Sequence, residues 1–248
     1  LDNLTQMAAL GFQWIDIQPT MLVSSEAQAT ARHLNLQVSS VGASFGMPDG
    51  VSLDSADEGT RNAALLHVDR ALAHGASLGA TMAYVVPGLN TDRDAVSRYA
   101  RSMATAAERA DTLGIKFCIE HFPGTALATA ADTLDFIRDI DHPNLYLLFD
   151  IGHIQMASED PSAIIHEAGS LLGYVHLDDN DGQGDLHWSL LDGVLTEDSL
   201  KQTFVALSDI GYSGAVSLEL NPLLPNPLEA LRKSREIVMN VGGKYLGN

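Results

Sequence analysis

Apolar residues along the chain gather into short unbroken runs, separated by longer stretches in which they recur every three or four positions. The runs are WIDIQ (14–18), LQVSSVGA (36–43), MAYVV (82–86), KFCIE (116–120), LYLLFD (145–150), GYVHL (173–177) and AVSLEL (215–220). They are rich in β-branched and aromatic residues, which suit a pleated, buried surface. Between them, segments such as SSEAQATARHLN, RNAALLHVDRALAHGASLG and DAVSRYARSMATAAERADTLG place apolar residues at helical spacing. The pattern predicts strands alternating with helices, hence a parallel sheet covered on both faces.

One phrase recurs where a helix gives way to a strand. AALGFQWIDI, ASLGATMAYV, DTLGIKFCI and SDIGYSGAVSL each set a glycine a few residues before an apolar run. Glycine accepts the left-handed conformation that ends a helix and sends the chain back toward the sheet. A repeated βα unit follows. No run leads into a GxGxxG or GxxxxGK[ST] loop. About 250 residues of regular units fit a closed (β/α)8 TIM barrel better than an open doubly wound sheet. Seven strands are visible and the first element is a helix, LDNLTQMAALGF, so the barrel's first strand is expected before Leu1. No long linker or low-complexity tract interrupts the pattern, and residues 1–248 read as one domain.

Composition narrows the partners. Fourteen Lys and Arg stand against 32 Asp and Glu, a formal charge of −18, and the cations are scattered. A phosphate-backbone binder carries the opposite sign or a basic stripe, so nucleic acid is not expected as a partner. No run approaches the roughly 18 apolar residues of a membrane span. No secretory signal is visible and Cys118 is the only cysteine, which fits a reducing, cytoplasmic setting.

The later strands end in polar residues. KFCIEHFPG ends in Glu120, LYLLFDIGH in Asp150 with His153 beyond it, and AVSLELNP carries Glu219. GYVHLDDNDGQGDLHW carries His176, then Asp179, Asp185 and His187. In a TIM barrel these strand ends share one functional face. A single acid at a strand end is more often a turn or helix cap, and a lone histidine a core or surface residue. His33, His67, His74, His142 and His166 fall on helices or connections and take that plain role. His121 follows Glu120 directly, so alternation points it away from the barrel interior. Three carboxylates and an imidazole converging without a cation would repel one another at a large desolvation cost. A divalent metal (Mn, Mg, Co or Zn) resolves that conflict, and ligand type alone does not choose among them.

IEHFPG, FDIGH, VHLDDNDGQGDLHW and LELNP, in that order, resemble the xylose-isomerase-like barrel superfamily. It includes ketose 3-epimerases, hydroxypyruvate isomerase, inosose dehydratase and endonucleases that cut at abasic DNA sites. The resemblance implies that Glu120, Asp150, His176 and Glu219 are the ligands of one divalent ion. Glu120 and Glu219 would also be the acid–base pair, and His153 would contact substrate oxygens. His153, Asp185 and His187 match positions that hold an additional zinc in the endonucleases, but the histidines of two earlier strands are missing from VSSVGASFG and YVVPGLN. A full trinuclear cluster is therefore not expected, and Asp185 and His187 read first as substrate-facing, second as second-metal ligands. The resemblance also implies that two copies pair as a homodimer.

The expected reaction is isomerisation or epimerisation of a small sugar or hydroxy-ketone through an enediolate, Glu120 or Glu219 removing the proton and the other returning one. A lyase of the inosose-dehydratase type is the alternative. A phosphodiesterase on damaged DNA and a barrel that only binds ligand rank below both. Trp14, Phe45, Tyr84, Phe122 and Trp188 are candidates for the pocket wall or for ordinary packing, and Asp16 for a substrate contact or a cap.

Overall fold

The computed structural model describes residues 2–245. The elements follow the expected alternation: α1 (Asp2–Ala9), β1 (Trp14–Ile17), α2 (Ser25–His33), β2 (Gln37–Gly42), α3 (Glu58–Ser77), β3 (Met82–Val85), α4 (Arg93–Thr112) and β4 (Lys116–Glu120). They continue with α5 (Ala130–Ile140), β5 (Leu145–Asp150), α6 (Ile151–Met156), α7 (Pro161–Ala168), β6 (Leu172–Leu177), α8 (Glu197–Asp209), β7 (Val216–Leu218) and α9 (Pro227–Gly242). The seven strands of the described residues form a sheet in chain order, β1 to β7. The pairs β1–β2, β2–β3, β3–β4, β5–β6 and β6–β7 are parallel, as helical crossovers allow.

The chain divides into two compact units, Leu1–Glu120 with Gly124–Ala126 and Asp135–Tyr146, and His121–Pro123 with Leu127–Leu134 and Leu147–Asn248. In the first, β2 and β3 bury nearly every side chain, including Val41, Ala83 and Val85, and α4 buries Tyr99, Met103 and Ala107. Asn144 reaches into this unit and donates to the carbonyls of Ala107 and Ile115 at 3.1 and 2.9 Å, so a buried amide finds partners. In the second, Leu147, Leu148, Phe149, Val175, Leu177 and Phe204 are fully buried. Each such side chain contributes roughly 1.5–3 kcal/mol.

The glycines read as helix stops behave as such. Gly11, Gly79, Gly114 and Gly211 have φ of 84, 84, 70 and 68°, values that only glycine adopts without strain. Helix starts are capped by side chains: Ser24 on α2, Asp57 on α3, Asp160 on α7 and Thr196 on α8. The first turn of α5 borrows its cap, since Glu159 accepts from the N–H groups of Ala130 and Ala131 at 2.8 and 3.0 Å. Among the described residues no helix is long and apolar enough to cross a membrane.

Candidate metal centre

Register decides which strand-end residues of the second unit meet. Asp150 on β5 lies opposite His176 on β6, and His176 opposite Ser217 on β7. Glu219 lies two residues beyond Ser217, on the same face, and its N–H still bonds the Leu177 carbonyl at 3.1 Å. One ligand atom from each of Asp150, His176 and Glu219 lies within 4.8 Å of the others. His176 Nδ1 stands 2.6 Å from Glu219 Oε2 and 3.8 Å from Asp150 Oδ2.

Asp150 has two roles, one per oxygen. Its Oδ1 accepts the N–H of His153 at 2.8 Å and caps α6, the plain role of an acid at a strand end. Its Oδ2 is fully buried without a hydrogen-bond partner, and so is Glu219 Oε2. Oxygens and an imidazole nitrogen that crowd together without bonding one another are aimed at a common point. Two orphaned carboxylate oxygens cost several kcal/mol uncompensated, and an oxygen–nitrogen donor set of this kind fits a divalent cation. Burial works to raise the Glu219 carboxyl, but the imidazole of His176 beside it, with His187 and His153, outweighs burial and holds it below the ordinary glutamate range. Glu120, expected to join this set, ends β4 in the first unit and is buried.

Beyond these ligand atoms lies a chain of imidazoles and carboxylates. His153 is buried, with Nδ1 2.8 Å from the His121 carbonyl oxygen, which places the proton on Nδ1 and turns Nε2 outward. Nε2 faces Asp185 Oδ1 at 3.3 Å, and His187 Nε2 reaches the same oxygen at 3.0 Å. Burial would raise the Asp185 carboxyl; the two imidazoles reverse that and depress it well below its usual value. His187 Nδ1 in turn stands 3.1 Å from Asp178 Oδ2. Desolvation opposes charge on His187, yet Asp178 and Asp185 push its pKa up to about 11.

Sequence reasoning missed one of these residues. Asp178 was overlooked between His176 and Asp179 because three polar residues in a row look like a solvated loop; all three are fully buried through Asn180. Burial, then the neighbouring Asp150 charge, raise Asp178 to about 7. His121, expected to point away from the barrel interior, is fully buried, its ring centroid 5.6 Å from that of His153 and its backbone carbonyl orienting that ring. Burial, then repulsion from His153, lower His121 to about 3 and keep it neutral.

Other candidates take structural places. Asp179 accepts from the N–H groups of Asn180, Gly193 and Leu195 at 2.8, 2.7 and 2.9 Å and so folds the loop that carries Asp185 and His187. Phe122 packs edge-on against His153, centroids 4.6 Å apart. Trp188 pairs its backbone with Asp179 and lines, with Leu224, Pro225 and Lys233, a cavity of about 450 Å³. In the first unit Trp14 opens β1 and is 46% exposed, at the other end of its strand from the expected functional face. Phe45 and Tyr84 pack on each other at 6.0 Å, and Asp16 accepts from Ser39 at 2.5 Å. His67 and His74 bond backbone carbonyls, His142 and His166 pair with Glu108 and Asp209, and His33 is exposed, the plain roles expected of them.

The family model described as Xylose isomerase-like TIM barrel matches residues 4–239. A D-psicose 3-epimerase from Agrobacterium fabrum is 29% identical over 184 residues, 68% of this chain and 60% of that protein. An inosose dehydratase from Klebsiella pneumoniae is 30% identical over 170 residues, 59% of this chain and 55% of that protein. The chain thus spans about half the length of the curated relatives it matches. The solved structure of an L-ribulose 3-epimerase superposes with a TM-score of 0.82 at 22% identity, over 98% of this chain and 89% of that one. Likeness at that identity shows the fold, and the expected TIM barrel is borne out.

Proposed function

The chain belongs to the xylose isomerase-like TIM barrel family, and from that premise we propose that it is a divalent-metal-dependent sugar isomerase or epimerase acting on a small ketose. The observation that carries the proposal is the convergence of Asp150, His176 and Glu219 with two buried, unbonded carboxylate oxygens. Glu120, Asp150, His176 and Glu219 would hold the ion, Mn²⁺, Mg²⁺, Co²⁺ or Zn²⁺. When bound, such an ion polarises a substrate carbonyl and makes the adjacent C–H more acidic.

The protein's own groups do the proton work. Glu219, held ionised by His176, is the more accessible of its set at 32% exposure and takes a proton from the carbon next to the carbonyl. The C–H pair becomes the enediolate π bond. Glu120 returns a proton to the opposite face of that carbon, which inverts it, or to the neighbouring carbon, which moves the carbonyl. The two glutamates exchange roles in the reverse direction. His153, with its proton fixed on Nδ1 by the His121 carbonyl, meets substrate oxygens through Nε2. Asp185 and His187 line the same side and are substrate-facing.

Likeness to inosose dehydratases supports a second reading, in which the same proton abstraction is followed by loss of water. One experiment separates the two. The protein is incubated with Mn²⁺ and D-psicose, D-fructose or L-ribulose in deuterated water and followed by NMR. Deuterium at the carbon beside the carbonyl with a new ketose or aldose supports isomerisation or epimerisation. Dehydrated product supports the lyase, and no exchange across the panel overturns both. The unbroken family match supports one domain for residues 4–239. A single cysteine, the buried Cys118, supports a reducing cytoplasmic setting, and light scattering tests the proposed pairing of two copies.

A further inference from the structure

We infer that Asp178 is a positioning residue: its carboxylate, seated in space left open by Gly152, fixes the ring of His187 so that Nε2 faces Asp185 and His153. The inference rests on the sugar-epimerase reading for what His187 then does, but its geometry stands by itself.

Three observations meet at this residue. First, Asp178 is fully buried and neither carboxylate oxygen has a hydrogen-bond partner, although Oδ2 lies 3.1 Å from His187 Nδ1. Oδ2 thus presents an acceptor oxygen to the ring edge at Nδ1. A carboxylate there favours an N–H at Nδ1 over a lone pair.

Second, the carboxylate occupies the place of an absent side chain. A Cβ built on Gly152 would meet Asp178 Oδ1, Oδ2 and Cγ far inside van der Waals contact. Gly152 is also tied to this segment through its carbonyl, which accepts from Asn180 Nδ2 at 3.0 Å. The glycine of FDIGH has a negative φ, so no left-handed turn requires it. Room for Asp178 is the reason for a glycine at this position.

Third, His187 itself is held in an unfavourable backbone conformation, with φ of 47°. That region costs a non-glycine residue on the order of 1 kcal/mol. Its carbonyl accepts from Asn221 N at 2.9 Å, and Trp188 and Asp179 pair on the next step of the loop. The surrounding loop therefore imposes a strained backbone, and the product is a ring whose two nitrogens address different carboxylates, Asp178 at 3.1 Å and Asp185 at 3.0 Å. His153 Nε2 meets that same Asp185 oxygen at 3.3 Å. The edge formed by His153, Asp185 and His187 suits a row of hydroxyls on an open-chain sugar, each needing a donor or an acceptor at a set position.

The test reads the ring directly. Long-range proton–nitrogen NMR on the protein in Mg²⁺ buffer reports whether Nδ1 of His187 carries a proton. The expected result is a protonated Nδ1, retained in Asp178→Asn, which keeps an acceptor oxygen, and lost or exchange-broadened in Asp178→Ala. Gly152→Ala is expected to reproduce the Asp178→Ala spectrum with Asp178 still present, and it decides the matter if Asp178→Ala does not fold. For ketose exchange, Asp178→Ala and Gly152→Ala should lower kcat about 10–100-fold with KM changed less than about threefold, and Asp178→Asn should recover most of the loss. A lone pair on Nδ1 of His187 in the unmodified protein, or unchanged His187 resonances in Gly152→Ala, overturns the inference. If the unmodified protein turns over no ketose, the proposed activity fails while the NMR result still decides the role of Asp178.

Discussion

Acid should unfold this protein partly through one histidine outside the metal centre. His121 is fully buried beside His153, with only a 3.4 Å contact from Nδ1 to the Leu148 carbonyl. Burial first, then His153, lower its pKa from 6.5 to about 3. In the unfolded chain the ring takes a proton near pH 6.5; in the folded chain it resists down to about pH 3. The unfolded state therefore binds more protons throughout that window, so stability rises with pH across it and is lost as pH falls. At a pH of about 4.5 the unfolded ring is almost wholly protonated and the folded one almost wholly neutral. The stability lost through His121 between about pH 6.5 and 4.5 is then about 2 kcal/mol. Asp178 works in the opposite sense, because its raised pKa makes the folded state the greater proton binder, so total stability alone does not isolate His121. The measurement is urea unfolding followed by circular dichroism at both pH values, with a chelator present, for the unmodified protein and His121→Leu. The Asp178 contribution cancels in the difference. The expected result is a loss on acidification that is smaller by about 2 kcal/mol in the variant. Parallel losses in the two proteins, within the roughly 10–15% uncertainty of such extrapolations, would show that His121 is already solvated when folded and refute the reasoning.

Glu219→Gln should lower deuterium exchange into a ketose by about 10²–10⁴-fold, the range for losing a positioned proton carrier, as read by NMR. In the unmodified protein the acidic limb of the exchange rate should lie below the ordinary glutamate value of 4.5, since His176 keeps Glu219 ionised; a limb above it would show that burial prevails. Asp150→Asn should reduce bound transition metal, measured by plasma mass spectrometry after dialysis, from about one ion per chain to a small fraction, while metal retained at full stoichiometry would remove Asp150 from the ligand set. Glu159→Ala uncovers the first N–H groups of α5 and should cost about 1–2 kcal/mol in urea unfolding without changing metal content.

The sheet was legible because its determinants are local. Every apolar run became a strand within a residue or two, and the glycines of ALGF, SLGA, TLGI and DIGY all took the left-handed conformation expected of them. The strand-end acids were legible for the same reason, since a charged residue closing an apolar run is visible in the order of residues. Asp178 is not legible in the sequence because the features that matter in it, full burial and a particular neighbour, are contributed by segments 25 or more positions away, such as Gly152 against Asp178.

The order of residues by itself determined the alternation of strand and helix, the places where each helix stops, and the set of acids and imidazoles available at strand ends. Only the folded chain decided that one oxygen of Asp150 caps a helix while the other is left without a partner, that His176 comes to 2.6 Å from Glu219, and that a missing Cβ at Gly152 admits the carboxylate behind His187. Propensity and periodicity act over a few residues along the chain, whereas desolvation and charge proximity depend on distance in space, which strand register and packing set.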